Sequence, residues 1–418
     1  MSAPRPLSVL LLSFCLTLTP STGHEPETSL FADLPDWSTL DPFQERISAD
    51  TFGSLIHALF VSGDPAPWIT WDDRRAIILT DRIETPYILR FSGAGGKPDR
   101  TLRDRVTDRL GETGLLGGRG LEDLHLAIDP GHIGGDWADI EHRRFRIRES
   151  DAWVVEGDLV LAVAETIRDR LEPLGTRVSL VRADSQPVTD LRPEDPDLEE
   201  PARMLLKRRK PDLTEEAPAF PGLLRTYRDL VFYRVAEIRA RAETVNTTLQ
   251  PDLVLCLHLN AAGWPDPEQP TLVPDTNLHV LVNGAYLPGE LALEDQRFDL
   301  VKRLLAGWWA DELVLGEALS RSLAEATDLP PYTYGGGNAL QPYPDNPYLW
   351  SRNLMANRLY DAPVVFLEPY IMNSVPDYAH IQAGRYEGLK PFRGKPRPNL
   401  IDEYADAVIA GLQTALGR

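Results

Sequence analysis

Cysteine is nearly missing from this chain: two in 418 residues. One of them, Cys15, falls inside an apolar leader, so Cys256 alone remains beyond it and a disulfide framework within one chain is excluded. Beyond the leader there is no apolar run long enough to span a bilayer. Positive charge is also short, with 43 Lys and Arg against 63 Asp and Glu and a net charge of −20. Without clustered cations a nucleic-acid surface that tracks phosphates is excluded. Compact chemical motifs are absent as well. No HExxH pattern occurs, and Ser92-Gly93-Ala94-Gly95-Gly96-Lys97 lacks the Ser or Thr that a phosphate loop needs after its lysine, so it reads as a turn. Neither long repeats nor heptads are found.

What is present is an ordinary globular composition, 43% hydrophobic and 25% charged, with length for two or three structural units. Arg5, the apolar stretch Leu7 to Leu18 and the small residues Ser21-Thr22-Gly23 predict a signal peptide over residues 1–23 and a mature chain beginning near His24, exported to a periplasmic or extracellular space. Residues 24–120 form an N-terminal region whose role the sequence leaves open. A helix is expected from Ala49 to Leu59, with strands at Trp68–Trp71, Ala76–Leu79 and Pro86–Phe91. The glycine-rich stretch Leu115 to Gly120 reads as a linker into a unit spanning 121–418.

That unit is organised around Leu124-His125-Leu126-Ala127-Ile128-Asp129-Pro130-Gly131-His132, a buried strand stopped by a Pro-Gly turn. A helix starts at Glu156–Gly157, with Val160, Val163, Ile167 and Leu171 on one stripe, and Arg177–Arg182 follows as a strand. Strand, helix and strand predict a parallel, right-handed crossover, hence an α/β fold: a mostly parallel three-layer sheet flanked by helices, with a small N-terminal α+β region. Residues 184–222 read as an insertion without clear periodicity, its Lys207-Arg208-Arg209-Lys210 run a solvated face. A helix over Asp229–Thr247 precedes the apolar strand Leu253–Leu257, which ends in His258. Another strand is expected at Leu278–Val282. A long excursion over 283–361 then holds a helix near 311–326 and the aromatic, glycine-rich segment from Tyr332 to Trp350, whose rings would line a sugar groove or fill a loop core. The strand Pro363–Leu367 ends in Glu368, and a helix over Ile401–Leu416 closes the chain.

Three strands thus end in His132, His258 and Glu368, and a helix begins at Glu156. In a parallel sheet such positions converge beyond the carboxyl ends of the strands. Two imidazoles and a carboxylate make a zinc set with an open fourth position, and a further carboxylate serves as proton carrier. Glu141, Glu149 and His142 compete with Glu156 for the third ligand place; Glu156 is preferred because the helical pattern directly follows it. The bland alternative for His132 is a turn histidine bonded to a nearby carbonyl.

Ile128-Asp129-Pro130-Gly131-His132 resembles the first-ligand turn of the zinc-dependent N-acetylmuramoyl-L-alanine amidases of bacterial cell-wall turnover. Glu156-Gly157-Asp158-Leu159-Val160-Leu161 approximates that family's Glu-Lys-Asp-x-Asn-Leu helix start. Cys256-Leu257-His258-Leu259-Asn260-Ala261 approximates its Ser-x-His-x-Asn-Ala strand end. Val364-Val365-Phe366-Leu367-Glu368 with Asn373 follows its catalytic segment, and Arg182 with Asp184 and Arg241 with Asn246 fall where it has further motifs.

The resemblance implies one zinc ion on His132, Glu156 and His258, with Glu368 as general base and acid and with Asp129, Asn260 and Asn373 in supporting positions. It also implies hydrolysis of the amide between the lactyl group of N-acetylmuramic acid and L-alanine in peptidoglycan or muropeptides, and an inserted helix, here the one near 311–326, as a lid removed by an activator protein. Departures are Ile133 in place of a glycine and the loop Asp136-Trp137-Ala138-Asp139-Ile140-Glu141-His142-Arg143-Arg144. The alternatives are a zinc amidohydrolase acting on another N-acyl amino acid or peptide, and a wall-binding protein without turnover.

Overall fold

The computed structural model describes residues 28–80, 85–93, 100–264 and 271–417. The signal peptide expected over 1–23 lies outside them, as does part of the Ser92–Lys97 turn.

The N-terminal region is built as expected. Helix α1 (Ala49–Leu55) is capped by the Ser48 hydroxyl and runs into a π turn at Ile56–Phe60. Strands β1 (Ile69–Trp71), β2 (Arg75–Ile78) and β3 (Tyr87–Arg90) form an antiparallel sheet, and α2 (Leu102–Thr113) opens with a Thr101–Asp104 capping box. These elements share one hydrophobic core with the larger sheet that follows: Phe52, Leu55, Leu59 and Leu89 belong to the same buried cluster as Val280 and Leu313.

The larger sheet comprises β4 (His125–Pro130), β7 (Arg177–Leu180), β8 (Leu253–Leu257), β9 (Leu278–Val282), β10 (Leu349–Ser351) and β11 (Val364–Pro369), in the order β10-β9-β11-β8-β4-β7. Between β4 and β7 lie the short ribbon β5 (Arg144–Phe145) and β6 (Val154–Val155) and the helix α3 (Glu156–Leu171). Strands β7, β4, β8 and β11 are mutually parallel, whereas β9 runs antiparallel to β11. The carboxyl ends of β4, β8 and β11 therefore meet the amino end of β9. Because side chains alternate along a strand, Leu253, Leu255 and Leu257 enter one core and Val254 and Cys256 the other.

Helices cover both faces. On one lie α3, α9 (Trp308–Thr327) and α12 (Leu400–Leu416). On the other, α5 (Phe220–Val231) passes through a π turn at Phe232–Ala236 into α6 (Glu237–Glu243) and a second π turn at Thr244–Leu249. The insertion holds more order than expected: Leu198, Ala202, Leu205 and Leu206 form a helical stripe, and α4 (Glu199–Arg209) packs it against Phe232 and Val235. The basic run Lys207–Arg209 is the last turn of α4, where cations suit the helix dipole.

The excursion after β9 supplies α7 (Pro288–Leu291), α8 (Glu294–Ala306), α9, β10 and α10 (Met355–Leu359). The lid expected near 311–326 is corrected here. Helix α9 is a layer of the fold: Leu313, Leu315, Leu319 and Leu323 are buried, Gly316 lies against Leu349 and Val282, and Leu319 rests on Gly411 of α12. A helix with so much apolar surface against a sheet is held there by it. After β11 come α11 (Val375–Gln382) and the hairpin β12 (Lys390–Phe392) and β13 (Lys395–Arg397). Among the described residues no helix is long and apolar enough to cross a membrane.

Candidate metal centre

Strand β4 delivers the first residue. After Pro130 the chain turns sharply, and His132 takes a left-handed backbone conformation, φ 57°. Gly131 makes room for the second residue, since a Cβ there would sit 2.1 Å from Cε1 of His258. His258 follows β8, stacks on Phe366 at 4.2 Å between ring centroids and meets His132 edge-on at 5.1 Å. The third residue opens α3. Gly157 is needed next to it, because a Cβ would come within 2.3 Å of the Ile133 carbonyl oxygen. These are close approaches that a side chain forbids.

The outcome is a cluster in which one ligand atom from each of His132, Glu156 and His258 lies within 4.8 Å of the others, a group that could hold a metal ion. Nε2 of His132 is 3.4 Å from Oε2 of Glu156, and Nδ1 of His258 is 3.3 Å from Oε1. Glu156 is fully buried, its Oε1 accepts the Leu259 N–H at 3.0 Å, and among the described residues its Oε2 has no hydrogen-bond donor. A buried carboxylate oxygen in that state is costly unless positive charge lies near it; Arg143 supplies some, and a metal ion would complete it. Burial drives His132 well below the ordinary histidine range, leaving the neutral imidazole a cation requires. Burial opposes the charge on Glu156, but His132, Arg143 and His258 outweigh it and bring its carboxyl below the usual range.

Of the residues competing for the third position, Glu141 has another task. Its Oε2 lies 3.0 Å from His132 Nδ1 and accepts the Ile133 N–H at 3.1 Å. With the proton on Nδ1 donated to that carboxylate, Nε2 presents its lone pair to the cluster. His142 and Glu149 do not join the cluster.

Asp129 does not bond to either imidazole. Its carboxylate accepts from Arg241 at 2.8 Å and from the Tyr360 hydroxyl at 2.5 Å. Arg241 in turn donates to the carbonyls of Pro130 at 2.7 Å and His132 at 2.6 Å, and to Glu237 at 2.7 Å. Arg182 donates to the Gly157 carbonyl at 2.7 Å, and its other amino group binds the Asp184 carbonyl. Two buried guanidinium groups thus fix the backbone of the His132 turn. Asn246 caps the Leu359 carbonyl and the Asp361 N–H. Asn260 accepts from the Ala261 N–H, and Asn373 brackets Ala262, donating to its carbonyl at 2.7 Å and accepting its N–H at 2.9 Å. Both asparagines serve the loop after His258, and among the described residues neither bonds to the cluster.

Glu368 stands at the end of β11, one-fifth exposed, and faces His279 of β9 across the antiparallel ladder. The His279 Nε2 is 3.3 Å from Glu368 Oε2. Burial pushes Glu368 up, yet the neighbouring His279, His258 and Arg143 bring its carboxyl down to about 2. His279 was not singled out from the sequence, where a lone histidine between Leu278 and Val280 looks like a core residue. The available signal was its parity: in β9 it shares a face with Leu281, the face on which Glu368 and His258 emerge.

Arg143 was also missed. Its guanidinium is 3.3 Å from Glu156 Oε2, and its backbone carbonyl accepts the Glu156 N–H at 3.2 Å.

No family model matches this chain, and none of the curated proteins does. Solved structures similar to it include the N-acetylmuramyl-L-alanine amidase Ami1 of Mycobacterium abscessus, at 17% identity over 70% of this chain and 99% of that one, with a TM-score of 0.37. Ami1 of Mycobacterium smegmatis is similar at 18% identity over 72% and 99%, TM-score 0.36. The CwlD amidase of Clostridioides difficile, solved with the GerS lipoprotein, is similar at 13% identity over 70% and 98%, TM-score 0.37.

Proposed function

We propose that this chain is a zinc-dependent amidase that cleaves the amide between the lactyl group of N-acetylmuramic acid and L-alanine in peptidoglycan. The observation that carries the reading is the convergence of His132, Glu156 and His258, from β4, α3 and β8, on one buried donor set that could hold a metal ion. Two imidazoles and a carboxylate fit zinc, and the set leaves a coordination position for substrate or water. When bound, the ion supplies Lewis-acid polarisation of the amide carbonyl and lowers the pKa of a water.

The remaining work falls to the chain itself. Glu368, ionised at neutral pH and partly open, takes a proton from the attacking water as the new C–O bond forms and gives it to the alanine nitrogen as the C–N bond breaks. Glu141 holds His132 in its ligating tautomer, and Arg241 and Arg182 keep the turn that carries it in place. The resemblance of the four motif segments supports the muramyl amide as substrate, and the leader supports action outside the cytoplasm, on muropeptides or intact wall, where an activator protein would also have access.

The experiment is digestion of purified sacculi by the zinc-loaded protein. Stem peptides released with a free L-alanine amino terminus are the expected product; no release, or cleavage at another bond, rejects the substrate. Arg143 at the rim of the cluster favours a second reading, in which the scissile amide belongs to an N-acyl amino acid whose free carboxylate pairs with that guanidinium. Turnover of N-acyl amino acids faster than of muropeptides would select it.

A further inference from the structure

His279 and Glu368 form a cross-strand pair, and that juxtaposition says more than proximity. His279 is buried, with about 3% of its surface exposed. Its ring lies between Tyr332, 4.9 Å away, and Tyr334, 5.5 Å away, so it cannot swing out. Tyr332 is itself tied to the start of β9 by its N–H to the Leu278 carbonyl.

The two ring nitrogens have different surroundings. Nε2 faces Glu368 Oε2 at 3.3 Å, and Nδ1 is buried with no hydrogen-bond partner among the described residues. A proton on Nδ1 would be a buried donor with nowhere to go, which is costly, whereas a bare lone pair there costs less. The geometry favours the tautomer with its proton on Nε2, directed at Glu368. The Glu368 side chain is about 20% exposed, which leaves its carboxylate open to a reacting group.

We infer that His279 is a positioning residue for Glu368: it pins one carboxylate oxygen through Nε2–H and leaves the other free to carry a proton. The inference rests on the reading of Glu368 as the proton carrier and adds a residue that none of the recognised motif segments contains. The groups that face Glu368 and bear on its charge are His279 from β9, His258 from β8, Arg143 from the loop before β5, Tyr334 from the excursion and Tyr404 from α12. Among them, only His279 brings a side-chain nitrogen within ion-pair distance of the carboxylate, at 3.3 Å.

Three measurements test the inference. In the zinc-free protein, a difference infrared titration of the wild type against Glu368→Gln reads the Glu368 carboxyl directly. His279→Phe keeps a ring between the two tyrosines but removes the donor, and should raise the midpoint by about one pH unit or more. His279→Gln, which retains an N–H donor, should recover part of the shift. In turnover, His279→Phe should lower kcat by about a hundredfold with KM changed less than about threefold, the cost expected when a reacting group loses its orientation. It should also move the acid limb of the kcat profile to higher pH. Nitrogen NMR of the wild type should show His279 with its proton on Nε2, which needs no variant to fold. An unmoved Glu368 midpoint in folded His279→Phe, or a proton found on Nδ1, overturns the inference. Full activity in Glu368→Gln would instead defeat the hydrolase reading, and the infrared and NMR results would still decide what His279 does.

Discussion

Gly131 and Glu141 shape the His132–Glu156–His258 cluster from outside it. A Cβ at Gly131 would collide with His258 at 2.1 Å, so Gly131→Ala should push that imidazole aside. The expected result is metal affinity lower by about tenfold or more and a stability loss of about 1–3 kcal/mol, read by zinc calorimetry and thermal unfolding. Glu141→Ala removes the acceptor that fixes the His132 tautomer and should weaken zinc binding by about 10- to 100-fold; unchanged affinity would remove Glu141 from the supporting shell. For Glu368 the folded pKa, about 2, lies below the ordinary 4.5. As pH falls, the unfolded chain takes up the proton first, so the stability this group adds is complete above about 4.5 and disappears toward 2. Glu368→Gln should therefore flatten the acid limb of stability against pH, followed by urea unfolding at stepped pH. At this scale the sequence was legible where chemistry and turn coincide: the Asp-Pro-Gly-His run marks a strand end that must bend sharply. His279 and Arg143 were not legible, because their roles arise from a ladder register and a loop path that no local pattern records.

Helix α9 shows what periodicity can and cannot say about an element. A helix was expected near 311–326, but a helix that covers a site and one that covers a sheet carry similar stripes, and only packing separates them. Gly411 of α12 meets Leu319 of α9, where a Cβ would come within 2.9 Å of the Leu319 Cα and Cδ2 atoms. Gly411→Val should destabilise the fold by about 1–3 kcal/mol through overpacking and leave zinc affinity unchanged, measured on the same sample by unfolding and calorimetry. A gain of activity would restore the lid reading. The parallel strands β4, β8 and β11 were readable as continuous apolar runs, and β7 as the strand that closes the crossover after α3. The reversed direction of β9 was not, because alternation is the same either way along a strand. That reversal brings the start of β9, with His279, to the ends of β4, β8 and β11.

For the molecule as a whole, a site assembled from β4, α3 and β8 exists only when the sheet is closed, so zinc should bind the folded chain and not the unfolded one. Linkage then requires stabilisation that grows with zinc, about 2.7 kcal/mol at a free concentration one hundred times Kd. The N-terminal elements lie on the same core but at the other end of β9, where Val61 bridges Tyr286 and Trp37 donates to Glu294 at 2.7 Å. Their packing supports the fold from the side away from the cluster. The most direct test is metal stoichiometry by mass spectrometry of the metal content in the wild type, His132→Ala, His258→Ala and Glu368→Gln. The expected result is one zinc per chain in the wild type and in Glu368→Gln, and none in either histidine variant. Zinc retained in full by His132→Ala or His258→Ala, or a wild type that binds none, would contradict the shared site.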